Sequence, residues 1–260
     1  MENKTLTAGL LQMDIFWMQP ERNLEVIEKE LSEAKNRPDL LILPEMFTTA
    51  YILQPTNQKD TIIQLEKTVD KLKEIGKTYN VAITGSTPWF EDSKFYNRSL
   101  LIDGDTISYY DKIHLYTPVG EHHEYAPGDV AVDFVLKGVK IRPLICYDLR
   151  FPYLAMTGTA YDLLIYVANW PIPRIKHWNA LLKARAIENQ VYTIGVNRTG
   201  GDENKITYCG SSAVYQFDGE EILHLNDSQN MHIVHLNFDQ QNEYRKKLPF
   251  SQDRKEILIK

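Results

Sequence analysis

Cysteine is scarce in this chain, with two in 260 residues, Cys146 and Cys209. So few thiols exclude a disulfide framework and suit a reducing compartment. Long apolar runs are missing too: the longest, residues 163–170, is far too short to cross a bilayer. The first residues, Met1 to Lys4, lack the basic start and apolar core of a secretion signal. There is no excess of positive charge. The net charge is −6, with Lys and Arg scattered, which argues against non-specific binding to nucleic acid. No glycine-rich phosphate loop or dinucleotide fingerprint occurs, and neither repeats, low-complexity tracts nor linkers interrupt the chain. The absences together lead us to expect a soluble cytoplasmic protein.

What is present is a regular alternation of strand and helix periods. Strand-like runs fall at residues 7–11, 40–43, 81–84, 163–168, 191–196 and 233–236. Leu24, Ile27, Leu31 and Ala34 mark one stripe of a helix over 20–36 that has Pro20 in its first turn. Ile62, Leu65, Val69, Leu72 and Ile75 mark another, and a third helix is expected over 174–189. Hairpins are predicted at Asp103-Gly104, Lys137-Gly138 and Asp218-Gly219. A short helix after residue 236 leads to a charged tail, 248–260. Buried strands mixed with hairpins and amphipathic helices imply an α/β domain of two helix-covered sheets spanning residues 1–260.

Three strand-like runs end in a reactive side chain. Residues 141–145 stop at Cys146, residues 40–43 lead through Pro44 to Glu45, and residues 108–111 end at Lys112. A thiol at the end of an apolar strand, followed at once by Tyr147, Asp148 and Arg150, reads as a nucleophile on a sharp bend. A buried structural cysteine is the competing reading. Glu45 is a candidate proton acceptor or a solvated loop glutamate, and Lys112 either an oxyanion donor that also lowers the thiol pKa or an ordinary edge-strand lysine. His114, His122 and His123 invite a zinc site with Cys146, but no metal-ligand spacing accompanies them, so no metal is expected. The stripe Trp178, Leu181, Leu182 and Arg185 reads as helix core, with Arg185 paired to Glu188.

With these residues in hand, the chain resembles the nitrilase (carbon–nitrogen hydrolase) superfamily over nearly its whole length. The matching segments are Leu41-Ile-Leu-Pro-Glu45-Met-Phe47, Tyr110-Asp-Lys112-Ile-His-Leu115, Cys146-Tyr-Asp-Leu-Arg-Phe-Pro152 and Lys183-Ala-Arg185-Ala-Ile-Glu-Asn-Gln-Val-Tyr192. The resemblance implies a four-layer αββα sandwich, a Glu-Lys-Cys triad at Glu45, Lys112 and Cys146, and a second glutamate near the lysine. Glu121 fits that glutamate best, with Glu124 as the alternative. Within the superfamily the chain is similar to the bacterial omega-amidases, through Val167-Ala-Asn-Trp-Pro171 with Arg174 and His177-Trp178, Asn197-Arg-Thr-Gly200 and Tyr208-Cys-Gly-Ser-Ser212. It departs from that branch at Ala50-Tyr51 and at Tyr153-Leu-Ala155.

The resemblance implies hydrolysis of a small 2-oxo acid monoamide, such as 2-oxoglutaramate or 2-oxosuccinamate, through a cysteine thioester. No cofactor is required. Lys112 and the Tyr147 N–H are expected to hold the oxyanion. Glu45, its pKa raised by burial, is expected to relay the proton. Arg150, and after it Arg174, would meet the substrate carboxylate, while Phe47, Tyr116 and Trp170 would wall the pocket. A homodimer is implied, with the tail reaching toward a partner. The rival readings are an N-carbamoyl amino acid amidohydrolase, a nitrilase, a catalytically idle binding scaffold and a zinc protein.

Overall fold

The computed structural model describes residues 4–156 and 161–255. In chain order, β1 (Thr5–Leu11) leads to α1 (Pro20–Glu33), where the missing N–H of Pro20 is harmless in the first turn. Next come β2 (Leu40–Ile42) and α2 (Lys59–Tyr79), which ends where Asn80 adopts a left-handed conformation at φ 52°. β3 (Ala82–Glu91), β4 (Lys94–Asp103) and β5 (Thr106–Asp111) form a meander. The short α3 (Glu121–Glu124) precedes β6 (Phe134–Leu136) and β7 (Val139–Ile145).

A 3₁₀ turn over Cys146–Arg150 and α4 (Pro152–Met156) follow. Then come β8 (Leu163–Ala168), α5 (Ile175–Asn189) and β9 (Tyr192–Asn197). A small hairpin is made of β10 (Thr199–Gly201) and β11 (Thr207–Cys209). β12 (Ala213–Tyr215), β13 (Glu221–His224), β14 (Met231–Asn237) and α6 (Phe238–Lys247) complete the elements.

The strands make two six-stranded mixed sheets, ordered β14-β1-β2-β3-β4-β5 and β13-β12-β9-β8-β7-β6. In each, the three central strands run parallel, as the βαβ connections require. Side-chain alternation sets the layers. Leu40 and Ile42 share a core with Leu144 and Val167 of the other sheet, whereas Leu41 between them packs with Ile27, Leu31 and Leu72 of α1 and α2. On the far side α5 lies against β9, where Gly195 admits Trp178 and Leu182. The expected αββα architecture is therefore present.

The structure corrects some local expectations. β3 and β4 form a hairpin through Asp92 and Ser93, at φ 48° and 62°. That turn conformation usually draws glycine, and without one the hairpin carries no signal in the sequence. The strand that leads into the predicted turn at Lys137-Gly138 is short, Phe134–Leu136. Residues 256–260 of the expected tail lie outside the described residues, and its start is not extended. Phe250–Asp253 is a 3₁₀ turn, and Arg254 bonds the same chain at Met156 O, Glu188 O and Asn189 Oδ1.

Candidate active site

The three reactive residues leave three strand ends from two sheets. Glu45 follows β2, Lys112 follows β5, and Cys146 follows β7. The bends are tight. Met46 has φ 49° and Cys146 φ 44°, both left-handed and costing roughly 1–2 kcal/mol for a residue with a Cβ. Arg185, buried as expected and paired with Glu188 at 2.8 Å, steadies the turn at Cys146 by donating to Leu149 O at 2.7 Å.

Their side chains converge. Lys112 Nζ lies 3.0 Å from Glu45 Oε1 and 3.0 Å from both oxygens of Glu121, with all three residues essentially inaccessible to solvent. The Tyr116 N–H donates to Glu121 Oε2. Glu45 is saturated from two sides: Asn97 Nδ2 donates to Oε1 at 2.8 Å, and the Asn169 N–H to Oε2 at 2.8 Å. Asn169 Nδ2 adds contacts to Glu45 O at 2.9 Å and to Oε2 at 3.2 Å. Glu121 therefore takes the place beside Lys112. Glu124 faces away and accepts from Thr56 Oγ1 at 3.3 Å.

Electrostatics correct two expectations. Burial pushes the Glu45 carboxyl up, but the Lys112 ammonium and the Asn169 donors outweigh it and hold Glu45 below its ordinary value. Glu121 is raised, by burial and by the negative charge of Glu45. Lys112 is raised well above its usual range because its desolvation is outweighed by the two carboxylates. The Cys146 thiol is also pushed well up, by burial and by the negative charge of Glu45, against the opposing pull of Lys112. The resting site thus holds a protonated sulfur next to an ionised carboxylate, not the preformed thiolate that a lone lysine neighbour would give.

Glu45, Lys112 and Cys146 line one pocket, open to solvent. Tyr116, Tyr147 and Trp170 wall it, with Tyr116 and Tyr147 edge to face at 4.9 Å. Arg150 and Arg174 both line it. The Arg150 guanidinium sits 4.8 Å over the Trp170 ring with Nη2 3.3 Å from His177 Nδ1, and Arg174 sits 5.7 Å over Tyr116. Phe47 is not a wall. It packs at 2% exposure in the core of the first sheet, filling the space Gly85 leaves open. Sequence reasoning assigned no role to Asn97, Asn169, Tyr51 or Tyr208, of which the last three line the pocket. Asn169 was findable, since it too stands at the end of an apolar strand, β8.

The histidines do not gather. His114 Nδ1 lies 2.9 Å from Asp148, while His122 and His123 are exposed in α3 with their rings tilted 42° to each other. Among the described residues no group of three or more His, Cys, Asp or Glu is placed to hold a metal ion. Among them, too, no helix is long and apolar enough to cross a membrane.

Comparison with known proteins supplies the family. The carbon–nitrogen hydrolase family model matches residues 7–246. This chain belongs to the carbon–nitrogen hydrolase family. Its relatives include the Escherichia coli (strain B) omega-amidase YafV, 39% identical over 256 residues that cover 98% of each chain. The 2-oxoglutaramate amidase of Bacillus subtilis is 31% identical over 253 residues, covering 95% of this chain and 96% of the other. In structure it is similar to a carbon–nitrogen hydrolase superfamily protein from Xanthomonas campestris with an arsenic adduct in its active site. The two superpose with a TM-score of 0.90 at 31% identity, over 99% of this chain and 100% of that one.

Proposed function

We propose that this carbon–nitrogen hydrolase is an omega-amidase, releasing ammonia from the terminal amide of a small 2-oxo dicarboxylic acid monoamide such as 2-oxoglutaramate. The observation that carries the reading is the convergence of Cys146, Glu45 and Lys112 in one pocket whose mouth holds two arginines. The names borne by the relatives point to the same substrates.

In this reading Cys146 Sγ bonds to the amide carbon as its proton passes to Glu45, which is held ionised in the same pocket. The carbonyl oxygen becomes an oxyanion held by Lys112 and the Tyr147 N–H. Such a donor contributes about 3–4 kcal/mol in comparable sites. Collapse breaks the C–N bond, and Glu45 returns the proton to the leaving nitrogen, which departs as ammonia. Water then adds to the thioester, giving its proton to Glu45. The C–S bond breaks and the sulfur recovers that proton. Glu121 keeps Lys112 charged and oriented throughout.

The test is replacement of Cys146 by Ala with ammonia release measured from 2-oxoglutaramate. Loss of turnover is expected, and retained turnover refutes the assignment. Running N-carbamoyl amino acids and nitriles alongside separates the neighbouring activities of the family.

A further inference from the structure

Asp148 is fully buried and takes no part in the steps above. It lies two residues past Cys146 and accepts hydrogen bonds from four donors. Oδ2 receives the Tyr110 hydroxyl at 2.8 Å and the Ile145 N–H at 3.0 Å. Oδ1 receives the His114 N–H at 2.9 Å and lies 2.9 Å from His114 Nδ1. Tyr110 and His114 stand two residues before and two after Lys112, and Ile145 immediately precedes Cys146. One carboxylate thus ties both flanks of the lysine, on the first sheet, to the bend that carries the sulfur, on the second. His114 is itself immobilised: its ring stacks on Phe151 at 3.7 Å and its Nε2 meets the Tyr153 hydroxyl.

We propose that Asp148 is a positioning residue that sets the separation between the Cys146 sulfur and the Lys112 ammonium. This rests on the reading of Cys146 as nucleophile and Lys112 as oxyanion donor. Across the interface between the sheets, apolar packing can slide by small increments, whereas four hydrogen bonds to two oxygens fix a register. An error of about 1 Å in reacting groups costs on the order of 100-fold in rate.

The test is Asp148→Asn in the full chain. The change keeps the side-chain shape but sets an amide NH₂ against two of the donors, so half of the clamp opens. The expected result is a fall in kcat of roughly 10- to 100-fold, with KM held within about threefold because the arginines of the pocket mouth are untouched. A second readout is alkylation of Cys146 by iodoacetamide as a function of pH. Its midpoint moves upward in the variant, since Lys112 is displaced and no longer favours the thiolate as strongly.

Tyr110→Phe removes one donor of the four and gives the same pattern on a smaller scale, which keeps the test sharp if the Asn variant folds poorly. Wild-type kcat and an unshifted alkylation profile in the folded variants overturn the proposal. So does a loss of activity that only tracks the unfolded fraction in thermal melts. Failure of the underlying reading looks different: Cys146→Ala retains turnover, or the alkylated residue in the wild type is not Cys146.

Discussion

Glu45 and Asn169, 124 residues apart, are joined by three hydrogen bonds. One uses the Asn169 N–H and two its side-chain NH₂, so the end of β8 grips both the carboxylate and the backbone carbonyl of Glu45. These donors, together with Lys112, keep Glu45 ionised despite complete burial. Asn169→Ala removes the side-chain donors, and the Glu45 carboxyl rises. A hydrogen bond to a charged group contributes about 1.5–3 kcal/mol. The acid limb of kcat/KM should therefore move to higher pH by about one unit, read from initial rates across the acid range. An unmoved limb would remove Asn169 from the electrostatics of the site.

Lys112 is the single cation between two buried carboxyl groups. Lys112→Met leaves them uncompensated, so besides abolishing turnover it should destabilise the fold by about 3–5 kcal/mol. The sign with pH follows from linkage. Without the ammonium both carboxyls are raised in the folded state, which then binds protons more tightly than the unfolded chain. The deficit should be smaller at about pH 5 than at about pH 8. Adding Glu121→Gln should restore part of the loss. Urea unfolding of both variants at the two pH values checks this.

The two arginines of the pocket mouth differ in their surroundings, Arg150 lying over Trp170 and Arg174 over Tyr116. If Arg150 meets the substrate carboxylate, Arg150→Gln raises KM for 2-oxoglutaramate by roughly 10- to 100-fold. The KM for a neutral amide of similar size changes by less than about threefold. Arg174→Gln should show a smaller contrast. A reversed order reassigns the carboxylate site, and equal effects on both substrates remove it from either arginine.

Gly195 lies beneath α5, and a Cβ there would stand 2.3 Å from Leu182 Cδ1 and 2.7 Å from Trp178 Cζ2. Gly195→Ala should destabilise the protein by about 1–3 kcal/mol. Trp178 packs on Trp170 at a centroid distance of 5.5 Å, so the displacement reaches the pocket wall and raises KM as well. Thermal melts and steady-state kinetics on one preparation separate the two effects.

Much of this site was legible because Glu45, Lys112 and Cys146 each end a strand-like run, and a strand end is visible in one dimension. β8 was read to the residue for the same reason, as a continuous apolar run with clear limits. What could not be read depends on distant partners. Phe47 follows a Glu-Met step that looks like a pocket rim, yet the left-handed Met46 swings it inward against Gly85. The pKa of Glu45 is decided by Lys112 and Asn169, which adjacency in sequence does not connect to it. The direction for Cys146 inverted for the same reason: the negative charge of Glu45 adds to burial and outweighs the pull of Lys112.

Glu45, Lys112 and Glu121 belong to the first sheet and its connections, while Cys146 belongs to the second. A chain in which just one half has formed would carry either a proton acceptor with no sulfur or a sulfur with no proton acceptor. Under the proposed chemistry, a nascent or partly melted copy is therefore harmless to the amide bonds around it. Reactivity arrives only with the last step of assembly.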